Sequence, residues 1–280
     1  MEFDRLERPL RQMRNLLKRL PNDPAPEQVH MLRTRARRIE AVAAALEPVS
    51  GKAARQLVKA IRPVRKAAGG VRDMDALTQE LLAMPRDGIN APPNGSLARL
   101  VEHLSALRRQ CAGALIDTLS RRRKSVRRKL KKFARTVESA ASGEKPVQIG
   151  FAQALASDNG SGSPASKLID ELRRWPKLNE RNIHSFRVKI KELRYVLQLF
   201  PDADQRLVAA LGKAKDEIGD WHDWRKLRAI AQELLDRQAD KMLLRDIRLA
   251  ERRKFERALA SAETLRRRYL QASGSLRKAS

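Results

Sequence analysis

The octapeptide His30-Met31-Leu32-Arg33-Thr34-Arg35-Ala36-Arg37 returns 154 positions later (184 − 30) as His184-Ser185-Phe186-Arg187-Val188-Lys189-Ile190-Lys191. A helix advances about 100° per residue, so positions i, i+3 and i+7 fall within about 60° of one another. Each copy therefore sets a histidine, an arginine and a further cation on one stripe: His30, Arg33 and Arg37, then His184, Arg187 and Lys191. The opposite stripe is apolar, with Leu32, Ala36, Ile39 and Leu46 in the first copy and Phe186, Ile190, Leu193, Leu197 and Phe200 in the second. Such a chain is held to helices that bury one face and present positive charge and donors on the other.

A second pair of phrases keeps the same order. Gly69-Gly70-Val71-Arg72-Asp73-Met74-Asp75-Ala76-Leu77 aligns with Gly219-Asp220-Trp221-His222-Asp223-Trp224-Arg225-Lys226-Leu227, an offset of 150 (219 − 69), and four residues upstream Arg65 matches Lys215. Two phrases at nearly equal spacing imply an internal duplication, two copies of one helical bundle.

Helical periodicity runs through almost every segment, without a convincing strand. It predicts helices over 3–20, 26–47, 51–68, 72–84, 96–118 and 120–140, and over 165–175, 179–200, 203–217, 220–237 and 240–272, the last open to a break. Pro24 and Pro26 suit a helix start; Pro48 and Pro201 follow the last apolar residues of the two histidine helices. Residues 88–95 read as a surface loop. The stretch 142–164, ending Asp158-Asn159-Gly160-Ser161-Gly162-Ser163-Pro164, reads as a linker. The predicted domains are a first half over 1–142, a linker over 143–164 and a second half over 165–280.

Sixty Lys and Arg against 33 Asp and Glu leave a formal charge of +27. Residues 1–142 hold 31 basic and 14 acidic side chains (+17), residues 166–280 hold 28 and 17 (+11), so the excess belongs to both halves rather than to a tail. A charge this far from zero implies a polyanionic partner. A single cysteine, Cys111, removes an intrachain disulfide and a cysteine-based zinc site, and reads as a small apolar side chain in a helix. No apolar run reaches the roughly 18 residues of a membrane span. The charged N-terminus lacks a signal-peptide core, so a cytoplasmic protein without membrane partners is expected.

The two stripes are the candidate anion site. Phosphate oxygens accept from arginine forks and lysine ammonium groups, and a histidine near neutrality adds a donor and a charge. Around them lie Arg38, about 80° to one side of His30, and Arg194, about 80° to the other side of His184. Tyr195 falls near the second stripe, with a hydroxyl able to donate. Arg65 and Lys215 complete the set. Arg35 and Lys189 lie about 140° from the histidines and are placed lower, flanking the core or facing a neighbouring helix. Glu40 stands where the second copy has Arg194. The run from Arg121 to Lys132 is cationic except at Ser125, Val126 and Leu130. Val126, Leu130 and Phe133 keep helical spacing, so this is an amphipathic helix with a wide basic face, and Arg121, Arg128 and Lys132 are lower-ranked contributors.

Asp73 and Asp223 are expected to cap helices after a glycine turn and to orient arginines rather than to bind a metal. Trp221, Trp224 and His103 read as packing residues. A Walker loop, a nucleophile elbow, paired catalytic carboxylates and a zinc finger are all missing from the sequence, so neither enzymatic turnover nor a metal or cofactor is expected.

The phrases His30-x-x-Arg33, Arg37-Arg38-Ile39, His184-x-x-Arg187-x-x-x-Lys191-x-Leu193-Arg194-Tyr195 with Phe200, Gly69-x-x-Arg72-Asp73-x-Asp75 and Gly219-x-x-x-Asp223 resemble the CHAD domains, over roughly residues 5–270. The resemblance implies an all-α fold of two four-helix bundles related by a pseudo-twofold axis, with a basic groove between them. It also implies inorganic polyphosphate as ligand and association with polyphosphate granules. The alternative is a basic helical protein that binds nucleic acid, although three tryptophans and two tyrosines give few stacking platforms. Nucleic acid is then expected only as a weaker competing polyanion.

Overall fold

The computed structural model describes residues 3–21, 24–45, 50–84, 95–142, 164–198 and 204–271. Eight helices carry the described chain: α1 (Phe3–Arg19), α2 (Pro26–Ala45), α3 (Lys52–Leu82), α4 (Ser96–Ser142), α5 (Pro164–Arg173), α6 (Ile183–Leu197), α7 (Gln205–Leu234) and α8 (Lys241–Leu265). Helix α8 continues into a π-helical turn, Arg266–Leu270. Among the described residues there is no strand, as the periodicity predicts. The predicted loop 88–95 and the predicted linker lie mostly outside the described residues, as do Leu46, Pro48, Phe200 and Pro201.

Three predicted breaks are absent. The segments 51–68 and 72–84 form one helix of 31 residues, 96–118 and 120–140 one of 47, and 203–217 and 220–237 one of 30. Glycine is the poorest non-proline helix former, costing about 1 kcal/mol against alanine, which is why Gly69-Gly70 and Gly219 read as turns. In the folded chain they lie mid-helix, and at Gly70 and Gly219 a neighbouring side chain, Cys111 and Arg187 respectively, crowds the space that a Cβ would occupy. Asp73 and Asp223 are therefore interior helix residues, not caps.

The chain divides into two compact units, residues 1–79 with 102–157 and residues 80–101 with 158–280. In the first, α1 and α2 bury Leu10, Met13, Leu17, Leu32, Ala36 and Ile39, while α3 and α4 bury Leu57, Ile61, Val64, Val126, Leu130 and Phe133. The basic run of α4 is thus amphipathic as predicted, its apolar stripe fully buried and Arg121, Arg128 and Lys132 exposed.

In the second unit, α6, α7 and α8 close a core around Phe186, Ile190, Leu193, Leu211, Ile218, Trp221 and Leu265. Residues 80–101 group here, and not with the first half to which the sequence assigns them. Polar bonds tie them to the unit's other helices. Trp224 Nε1 donates to Glu80 at 2.8 Å, and Lys254 pairs with Glu80 at 3.5 Å. Asp240, fully enclosed in the turn between α7 and α8, accepts from Ser96 Oγ at 2.5 Å and from Arg99 Nη2 at 2.7 and 2.8 Å. It also accepts from the backbone N–H of Asp236 at 2.9 Å. The Ser96 hydroxyl first, and then Arg99 and that N–H, hold the Asp240 carboxyl below its ordinary range despite its burial.

Candidate functional site

Helix α6 carries the second stripe because Phe186, Ile190, Leu193 and Leu197 turn into the core. His184 is exposed, and Arg187, Lys191, Arg194 and Tyr195 are half-buried. Helix α7 follows after a short connection and runs back along α6, and the register can be read from three levels. The rings of His184 and His222 lie 4.5 Å apart, 40° from coplanar. Arg187 lies across Gly219, where a Cβ would stand 2.6 Å from Nη2, and its Nε donates to the Lys215 carbonyl at 3.0 Å. Arg194 crosses Gly212, its Nε 3.4 Å from the site of a Cβ. Steps from 184 to 187 to 194 on α6 thus match steps from 222 to 219 to 212 on α7. The same count sets Lys191 level with Lys215. Lys215 is ion-paired with its neighbour Asp216.

This seam concentrates donors and positive charge in a half-buried strip. Partial desolvation of the ring chiefly, and then Arg187, Lys226, Lys191 and Arg225, push the His184 imidazolium below its ordinary pKa. Lys189, on another face of α6, is committed elsewhere. It pairs with Glu171 at 3.0 Å and Glu192 at 3.7 Å, and the Glu171 hydrogen bond pushes its ammonium pKa up. It faces α5, as its 140° offset allows.

The first unit repeats the device. Leu32, Ala36 and Ile39 are buried, His30 is exposed, and Arg33 and Arg37 are half-buried. Arg33 lies over Gly69, with Nε 3.7 Å from where a Cβ would stand. The repeated glycine and the repeated arginine are therefore partners. The copies diverge further along. Arg65 meets Glu40 at 2.6 Å, so the acidic residue standing in place of Arg194 ties up a predicted site cation. Arg35 donates to the Gln12 carbonyl at 3.1 Å and fastens α2 to α1. A cavity of about 210 Å³ lies there, lined by His30, Thr34, Arg35 and Arg38 among others. Thr34 Oγ1 sits 3.5 Å from His30 Nε2.

Asp75 pairs with Arg108 at 2.6 Å, within the same unit. Cys111 packs its Sγ against Gly70, and burial, then Asp73, push its thiol pKa up, which suits an inert side chain. Trp221 and Trp224 are buried, as expected of packing residues. Among the described residues, no group of three or more His, Cys, Asp or Glu is arranged to hold a metal ion.

His222, Arg225 and Lys226 are the residues that sequence reasoning misses. Lys215, Gly219, His222 and Lys226 step by 4, 3 and 4, one stripe of one helix. A predicted break after 217 hides that stripe.

Described residues that are helical throughout, with an arginine of a histidine-bearing helix lying across a glycine in each of two units, define a basic helical module. The chain belongs to the CHAD domain family, whose model matches residues 4–232 and takes in both histidine stripes. Neither the curated proteins nor the solved structures provide a match.

Proposed function

We propose that this CHAD domain protein binds inorganic polyphosphate without turning it over, through the His/Arg/Lys stripe of each unit, in the cytoplasm and at polyphosphate granules. The observation that carries the reading is the α6–α7 seam. It lines up His184, Arg187, Lys191 and Arg194 against His222 and Lys215, with two glycines making room for the guanidinium groups. Polyphosphate carries about one charge per phosphate and offers only oxygens, so a row of cations and imidazoles suits it without any base-reading contacts. The recurrence of Arg33 over Gly69 supports a duplication, read here as two four-helix bundles. Among the described residues no helix is long and apolar enough to cross a membrane.

The test is competition of labelled long-chain polyphosphate against DNA and RNA at matched phosphate concentration, run as a salt series. Polyphosphate should win at physiological salt, and its affinity should fall steeply with added salt as counterions are released. A win for nucleic acid would refute the reading. Release of orthophosphate on addition of Mg²⁺ or Mn²⁺ would refute the absence of turnover.

A further inference from the structure

The two imidazoles of the second unit are brought together by helices whose register repeats at three levels, so their meeting follows from the packing of α6 on α7. His184 and His222 stand 4.5 Å apart, ring to ring. The charged groups around them come from both helices. Arg187 and Lys191 project from α6, and Arg225 and Lys226 from α7. Arg225 lies 5.6 Å over the Trp221 ring and reaches the Glu180 carbonyl at 3.5 Å. Of the nearby carboxylates on α7, Asp220 is engaged by Lys254 of α8 at 3.4 Å, and Asp223 is the residue next to His222.

The His184 ring, in contact with that of His222 and with four cations about it, resists taking a proton while no phosphate is bound. A phosphate oxyanion held at the edges of both rings offsets that local field. Each ring can then donate an N–H to it, and a ring that protonates adds a second donor and a charge. The first copy differs at this level. The residue aligned with His222 is Arg72, a permanent cation, and counting from Arg33 over Gly69 sets it opposite His30. One unit thus carries a fixed charge where the other carries a titratable one.

We propose that His184 and His222 form a proton-coupled oxyanion subsite, which takes up protons from solvent as a phosphate of the polyanion binds across the edges of the two rings. The subsite rests on the polyphosphate reading and deepens it. By linkage, an anion that raises the proton affinity of the pair must itself bind more tightly as pH falls.

The test is calorimetric titration of long-chain polyphosphate into the full chain at pH 6.5, in buffers of differing ionisation enthalpy. The dependence of the observed heat on buffer gives the protons taken up. Uptake should be positive at pH 6.5 and should vanish near pH 8.5. The affinity of the native chain should rise about tenfold between pH 8.5 and pH 6, the value of one charge-assisted contact. His222→Gln and His184→Gln should each reduce the uptake and flatten that rise, with circular dichroism close to native. Uptake unchanged in His222→Gln would overturn the subsite, and so would binding of polyphosphate without any uptake. In both cases the polyphosphate reading would stand. Absence of binding at every pH would overturn both.

Discussion

The clearest quantitative test of the seam is a pair of substitutions that look identical in sequence, Gly69→Ala and Gly219→Ala. Both glycines are interior helix residues, so alanine gains about 1 kcal/mol of helix propensity at each. The surroundings then separate them. At Gly69 the new Cβ meets Arg33 Nε at 3.7 Å, an ordinary contact, and the gain should be kept. At Gly219 the Cβ would stand 2.6 Å from Arg187 Nη2, 3.2 Å from Cζ and 3.3 Å from Nε. The guanidinium must swing away and lose its 3.0 Å bond to the Lys215 carbonyl. A hydrogen bond from a charged donor contributes about 1.5–3 kcal/mol, of which roughly half survives at a part-buried position. Gly219→Ala should therefore be neutral to about 0.5 kcal/mol destabilising, and Gly69→Ala about 1 kcal/mol stabilising. All three tryptophans lie in the second unit, so urea unfolding followed by tryptophan fluorescence reads Gly219→Ala, and far-ultraviolet circular dichroism reads Gly69→Ala. Because Arg187 is displaced, Gly219→Ala should also weaken polyphosphate binding. Equal stabilisation by both substitutions would show that Arg187 does not use the space over Gly219.

Replacing the enclosed Asp240 by Ala strands Ser96, Arg99 and the Asp236 N–H and should cost about 3 kcal/mol; because its carboxyl is held low, the native stabilisation is present above the ordinary carboxylate value and lost as pH falls below it, which urea midpoints at pH 3.5 and 6 would reveal. His184 is held low instead, so without ligand the unfolded chain binds the extra proton and stability drops as pH falls from about 6.5 through the lowered native value; His184→Gln should show a smaller drop between pH 7.5 and 5.5 by tryptophan fluorescence. Substituting Arg33, Arg37, Arg187 and Lys191 together by Ala should weaken polyphosphate binding more than removing Arg245, Arg248, Arg252 and Arg253 of α8, at equal change in net charge and fixed ionic strength, whereas equal losses would mean that binding follows bulk charge. Glu40→Gln releases Arg65 from its 2.6 Å ion pair and should strengthen binding severalfold, against little change for Glu256→Gln on the exposed face of α8.

The helical class, the buried stripes and the exposed histidines were legible because they depend on a period of 3.6 residues, which one strand of sequence carries in full. Leu32, Ala36, Ile39, Phe186, Ile190 and Leu193 are all buried on that basis. The repeated phrases were legible as two matching pairs, and the family match over 4–232 agrees with the resemblance they carry. The helix breaks were misplaced because glycine has one local meaning, poor helix propensity, and another that depends on the neighbouring helix. Arg33 comes from 36 residues before Gly69, and Arg187 from 32 before Gly219. The same error concealed His222, since a stripe cannot be counted across a predicted turn.

By itself, then, the sequence determined that the chain is helical and basic along one face of each histidine-bearing helix, because those properties follow from residue type and local spacing. Tertiary structure alone decided which cations remain at the seam and which are consumed. Glu40 takes Arg65, Glu171 takes Lys189, and Gln12 takes Arg35. It also decided that His184 faces His222 and that residues 80–101 join the second unit through Trp224, Lys254 and Asp240. These partnerships form between helices, over distances of a few ångströms that no one-dimensional spacing encodes. An exposed cation and a paired one look the same until the opposing helix is in place.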